Sequence, residues 1–214
     1  MYNENLFVNS EIITQLNKIV QPYAPEGFEG NCLYQHASNF IIDKTKNILR
    51  QNLYNISKDA GSIIEIGING GHSIALFLYS NPNLEILGFD ICQHPYTRPC
   101  CNFLSGKYNF TLIEGDTTHT LEDYTTNVKY DIIHIDGGHT TNDLMQNVYD
   151  CKKFAHADTI IIIDDIPGNR DVYQGVINMR ENNTIEDITE NLLMDRNTRI
   201  MNCSYHRFFT YNGL

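Results

Sequence analysis

The sequence predicts a doubly wound α/β fold. Three observations lead there: short apolar runs rich in Ile, helix-compatible stretches between them, and acidic or glycine-containing turns where the runs end. Strands joined by crossovers of this length pair in parallel through right-handed connections. At 214 residues the chain has the size of one domain, with enough material to cover a central sheet on both faces. We expect one compact structural domain, with residues 1–61 as an N-terminal helical cap and connection and residues 62–214 as the core.

Two helical segments are expected before the sheet, over 9–20 and 39–53. In the second, Phe40, Ile41, Lys44, Thr45, Ile48 and Leu49 give a mixed amphipathic period. Between them Pro22, Pro25, Gly27 and Gly30 interrupt regular structure, which suggests a mobile connection able to close over a site. The first strand reads as 62–68 and the helix after it as 73–79. Further strands are expected over 85–91, 109–114, 131–135 and 159–163. A helix over 142–154 places Leu144, Met145, Val148, Tyr149 and Lys152 at helical spacing. After a helix over 172–180, residues 185–194 and 206–211 are expected to close the sheet as edge strands, the last antiparallel.

Hydrophobic residues make up 42% of the chain and charged residues 19%, so an ordered globular protein is expected rather than a disordered one. The formal net charge of −11 works against a broad phosphate-binding surface, which makes nucleic acid a poor partner and a small molecule a better one. No apolar stretch approaches membrane-spanning length, so no membrane partner is expected. Cys32, Cys92, Cys100, Cys101, Cys151 and Cys203 form no paired metal motif, and no basic segment followed by an apolar export segment opens the chain. A reducing, cytoplasmic location follows as an expectation. Cys100 and Cys101 are adjacent, but no activating cation lies near them in sequence, so they read as free thiols.

Glu65-Ile66-Gly67-Ile68-Asn69-Gly70-Gly71-His72 joins the first strand to a helix, and its small residues permit a tight turn and a close approach of backbone amides to a ligand. Asp90 ends the second strand, where its carboxylate could accept both hydroxyls of a ribose. Asp116 ends the third, where contact with an adenine amino group and capping of the next helix both remain open. NAD and S-adenosylmethionine could each use Asp90. Glu65 discriminates, because it suits the amino group of a methionine and would repel a pyrophosphate. It also occupies the first glycine position of G-x-G-x-x-G.

At the other strand ends stand Asp136, Asp164 and Asp165. If they converge, a hard divalent cation would relieve their repulsion, and Mg2+ suits an oxygen-rich site, with Mn2+ as a substitute. The opposing reading makes Asp136 a turn residue before Gly137-Gly138 and Asp165 a cap before Pro167. His139, two glycines after Asp136, is the expected general base toward a substrate hydroxyl. His134 reads as a buried, hydrogen-bonded strand residue. His206, His94 and the remaining histidines carry weaker claims.

Taken in order, EIGINGGHS at 65–73, GFDI at 88–91, EGDT at 114–117, IDGGH at 135–139 and IIIIDDI at 160–166 resemble the class I S-adenosylmethionine-dependent methyltransferases. The resemblance is greatest to the metal-dependent macrocin and sugar O-methyltransferase family, over residues 62–211. It implies a Rossmann-like, mostly parallel seven-stranded sheet with an antiparallel final strand. It implies Glu65, Gly67 and Gly71 around the methionine part of the cofactor, Asp90 at ribose and Asp116 near adenine, and Asn69 of the same turn is also expected to bind the cofactor. It further implies Asp136 beside the cofactor, Asp136, Asp164 and Asp165 on the metal, and His139 as base. The acceptor it implies is a hydroxylated small molecule, preferably a sugar or nucleotide-sugar, and a homo-oligomer such as a dimer is expected. A catechol-like O-methyltransferase, an RNA-cap methyltransferase, an NAD-dependent oxidoreductase and a non-catalytic cofactor-binding protein are the alternatives.

Overall fold

The computed structural model describes residues 2–24, 31–36 and 38–214. Seven strands form one sheet: β1 (Ser62–Ile66), β2 (Glu85–Asp90), β3 (Phe110–Glu114), β4 (Tyr130–Ile135), β5 (Ala155–Asp164), β6 (Ile185–Asp187) and β7 (His206–Tyr211). Their spatial order is β3-β2-β1-β4-β5-β7-β6. The first five pair in parallel, and β7 runs antiparallel to both β5 and β6. This is the Rossmann-like methyltransferase architecture, in which the order reverses between β1 and β4. Ligand crevices open at such a point, outside the carboxyl ends of the strands.

The strands are apolar on both faces because helices cover both. On one face Ile63, Ile86, Ile132, Ile162 and Phe208 pack with Leu16 of α2 (Glu11–Val20), Leu53 of α3 (Asn47–Ser57), Ile74 of α4 (His72–Ser80) and Leu104 of α5 (Thr97–Lys107). On the other, Ile64, Leu87, Ile133, Ile161 and Phe209 pack with Leu121 of α6 (Thr117–Asp123), Val148 of α7 (Thr141–Cys151) and Val176 of α8 (Arg170–Glu181). Alternation of side chains along each strand assigns these sets. Glu65 and His134 break the first set, since both are wholly buried on that face.

The N-terminal elements differ from the expected pair. A short α1 (Glu4–Val8) precedes α2, because Asn3 caps the first and the chain turns at Asn9 and Ser10 before the second. The segment expected to begin a helix at 39 is a bend that leads into a β-bridge instead. Phe40 has φ 56°, Tyr34 and Ile42 form a β-bridge, and Asp43 caps a single 3-10 turn, Lys44–Lys46, before α3 starts. Of the expected mobile connection, Pro25, Gly27 and Gly30 lie outside the described residues. The strand expected over 185–194 stops at Asp187, whose carboxylate accepts from the Thr189 amide and turns the chain into α9 (Thr189–Met194). No helix among the described residues is long and apolar enough to cross a membrane. All six cysteines are free, and burial pushes the Cys100 thiol up to about 12, so neither it nor its neighbour is primed for redox chemistry.

Candidate active site

A cleft of ≈ 430 Å³ opens at the carboxyl ends of the parallel strands, within the range of small-molecule sites. One end is built by the turn between β1 and α4. Gly67 has φ 85°, and a Cβ there would lie 2.4 Å from the Asp136 backbone oxygen, so only glycine lets the two strand ends close up. Gly71 stands in the left-handed region at the N-cap of α4. Asp90 is wired into the same turn. Its Oδ2 accepts from the amides of Ile68 (2.7 Å) and Asn69 (3.0 Å), and its Oδ1 accepts from Cys92 (2.6 Å). A carboxylate has about four acceptor positions, so capacity for a ribose hydroxyl remains. Beside it Ile91 is 55% exposed and lines the cleft, an apolar surface suited to an aromatic base. Asp116 caps α6 through the Thr118 amide (2.9 Å) and hydroxyl (2.7 Å), contacts that hold its carboxyl below the usual range, and it lines the same end.

Glu65 does not reach the cleft wall. It is buried in the sheet with Oε1 3.0 Å from His134 Nδ1, its direct partner in the β1–β4 register. His134 Nε2 lies 3.6 Å from Asp164 Oδ1, and His206 Nδ1 lies 3.7 Å from the same oxygen. Both separations are longer than a normal hydrogen bond. Burial opposes a charge on His134, but the adjoining carboxylates of Asp164 and Glu65 outweigh it and raise this imidazole well above its ordinary range. Burial pushes His206 down to about 4, with the Asp164 charge acting in the opposite direction.

His139 and Asp165 form the reactive-looking pair, with Nε2 3.2 Å from Oδ2. His139 is exposed and Asp165 half-exposed. The contact with Asp165 raises His139 above the usual imidazole value, and the contact with His139 lowers Asp165. Asp165 has φ 65°, an uncommon backbone conformation for a non-glycine residue, and this turns its side chain toward His139. Asp136 lies on the cleft floor, where loss of water and then the Asp164 charge hold its carboxyl well above the ordinary range.

The expected Mg2+ or Mn2+ centre is corrected by this arrangement. Among the described residues no group of three or more His, Cys, Asp or Glu side chains is placed to hold a metal ion. The three carboxylates do not converge: Asp164 turns inward to two buried imidazoles, Asp165 turns outward to His139, and Asp136 is left on the floor between them. The donor set therefore does not fit a hard cation, and with it falls the assignment to the metal-dependent macrocin and sugar branch. Sequence reasoning also passed over Lys46, Asn31, Cys32 and Tyr205, which line the far end of the cleft, and gave His206 little weight. The cross-strand pairing of Asp164 with His206 was hidden until β7 was placed.

A family model described as a methyltransferase domain matches residues 64–166. No curated protein matches the chain. Among solved structures, an O-methyltransferase from Bacillus cereus in complex with S-adenosylhomocysteine is similar at 15% identity, with a TM-score of 0.64 over 98% of this chain and 94% of that one. The S-adenosylhomocysteine-bound methyltransferase PaMTH1 of Podospora anserina gives 12%, 0.65, 95% and 88% for the same measures. TomG of Streptomyces achromogenes, an O-methyltransferase of tomaymycin synthesis, gives 14%, 0.60, 96% and 91%. At these identities the structures share the fold. The matched segment is that of a methyltransferase domain over residues 64–166, and the fold is the one these methyltransferase structures share.

Proposed function

We propose that the protein transfers a methyl group from S-adenosylmethionine to a hydroxyl of a small molecule, with His139 taking the hydroxyl proton. The observation that carries this reading is the His139–Asp165 pair, 3.2 Å apart, in the same cleft as the glycine turn and Asp90. The Ile68–Gly71 turn, Asp90 and Ile91 would hold the donor at its nucleoside and methionine ends. When bound, S-adenosylmethionine supplies an electrophilic methyl carbon. His139 donates Nε2–H to Asp165, which leaves Nδ1 as the atom that accepts the acceptor's proton. Asp165 then stabilises the imidazolium. Asp90 and Asp116 fix the donor end of the cleft, and Lys46 and Tyr205 border the acceptor end.

We further infer that residues 1–61 belong to the same compact domain, because Leu16 and Leu53 share a core with Ile74 and Leu104. Six free cysteines support the cytoplasmic reading, and light scattering would test the homo-oligomer. Calorimetric titration with S-adenosylmethionine, S-adenosylhomocysteine and NAD, followed by transfer of labelled methyl to a panel of hydroxylated small molecules, tests the function. The expected result is binding of both adenosyl ligands and labelled product that is lost in H139A, with donor affinity retained. Tight NAD binding without affinity for the adenosyl ligands would refute the reading. Donor binding with no transfer to any acceptor would favour a cofactor-binding protein.

A further inference from the structure

Glu65, His134, Asp164 and His206 form a polar seam across β1, β4, β5 and β7, on a face otherwise occupied by Ile63, Ile132, Ile162 and Phe208. The first, second and fourth side chains are wholly closed to water, and only Asp164 lines the cleft. Glu65 Oε2, His134 Nε2, Asp164 Oδ1 and His206 Nδ1 are buried without a hydrogen bond at normal length. Each such atom costs about 1–3 kcal/mol against an apolar side chain, so a seam serving stability alone would be replaced by more isoleucine.

The proton on His206 is fixed by its surroundings. Asn52 Oδ1 accepts from the Met201 amide (2.8 Å) and Asn52 Nδ2 donates to the Met201 carbonyl (2.7 Å), which sets the orientation of this amide. Its Nδ2 also lies 3.2 Å from His206 Nε2, which must therefore accept. The His206 proton is left on Nδ1, facing Asp164. On the other side, His134 donates Nδ1–H to Glu65 and, as an imidazolium, presents Nε2–H to the same Asp164 oxygen. Two N–H groups from different strands thus converge on Asp164 Oδ1.

We propose that His134 and His206 are positioning residues that hold Asp164 from below, so that its other oxygen stands in the cleft and binds a donor group of the acceptor, a second hydroxyl or an amine. The assignment of that role rests on the methyl-transfer reading. The acceptor then carries two polar groups, one deprotonated at His139 and one anchored at Asp164. Asp164 acts through direct contact, and the two histidines act only through Asp164.

Substitutions that separate the two ring nitrogens test this. H134Q retains a donor near the Nε2 position facing Asp164, whereas H134N retains only the contact with Glu65. H206N retains a donor near Nδ1, whereas H206F removes it. Each variant is checked for folding by circular dichroism and thermal midpoint, crystallised with S-adenosylhomocysteine, and assayed with labelled S-adenosylmethionine on hydroxylated small molecules. In H134N and H206F, Asp164 is expected to leave its rotamer and turnover to fall about tenfold or more, with KM for the donor within about twofold. H134Q and H206N are expected to recover turnover to within about threefold of the parent. The two losing variants probe opposite sides of Asp164, so either one suffices if the other fails to fold. An Asp164 that stays in place, or unchanged turnover in a folded losing variant, overturns the proposal. If the parent transfers no methyl group while Asp164 still follows the histidines, the positioning stands and the methyl-transfer reading falls.

Discussion

Replacing Arg50 with Met tests how the N-terminal elements are held to the core. The Arg50 side chain is completely buried in α3. Its Nη1 donates to the carbonyls of Cys32 and Asp43, each at 3.0 Å, and its Nε donates to Glu4 Oε2 at 3.2 Å, with Nη2 completing the pair. One guanidinium thereby ties α1, the loop before the β-bridge, and the cap of the 3-10 turn. Met keeps most of the aliphatic stem, so little cavity opens, and the loss falls on polar partners. The Cys32 carbonyl loses its donor and the Asp43 carbonyl keeps only the longer bond from the Lys46 amide (3.3 Å), which together cost about 2–5 kcal/mol. Glu4 is 30% exposed and can turn to water, and removal of a buried charge gives part of the loss back. The net expectation is about 2–4 kcal/mol. In urea unfolding, with a slope of about 2–3 kcal/mol/M for a chain of this size, the midpoint falls by about 1–2 M. A change under about 0.5 kcal/mol, or a gain, would refute the view that Arg50 is a net staple.

Three further outcomes are expected. D165N removes the charge that raises His139, so the limb of kcat/KM that reports the neutral base moves to lower pH while the maximal rate falls; a limb that stays in place contradicts the pairing. His206 is depressed to about 4 in the fold from 6.5, so the unfolded chain takes up more protons as pH falls from 6.5 and stability drops through that window. The share due to His206 is roughly 3 kcal/mol, and H206N should flatten the slope measured by denaturation at stepped pH. G67A places a Cβ against the Asp136 carbonyl at positive φ and should cost about 3 kcal/mol or more in thermal or urea unfolding, with loss of adenosyl-ligand binding; a well-folded variant with parental affinity would contradict the account of the turn.

Much of the sheet was legible because β1 to β5 each carry a short apolar run that ends at a carboxylate or glycine. Residues 206–211 and the strand starting at Ser62 stand where expected. The region around Phe40 was misread because its apolar spacing fits a helix, while its left-handed backbone and the Asp43 cap are not visible in that spacing. The strand from Ile185 was overextended for the same reason: Asp187 ends it through a single side-chain hydrogen bond. In the cleft, the positions of Asp136, Asp164 and Asp165 followed from strand ends, but their directions did not. That of Asp164 depends on His134 and His206, which come from other strands and meet it only through register, and that of Asp165 depends on its left-handed backbone and on His139.

The placement of β7 between β5 and β6 bears on the order in which the chain is made. Strand β5 must wait with one edge unpaired until residues 206–211 have been synthesised, and β6 has no sheet to join until then. An open apolar edge invites pairing with the wrong chain during that interval. His206 arrives with the strand that closes this edge, so the nascent protein gains the second imidazole beneath Asp164 in the same event that protects it from aggregation.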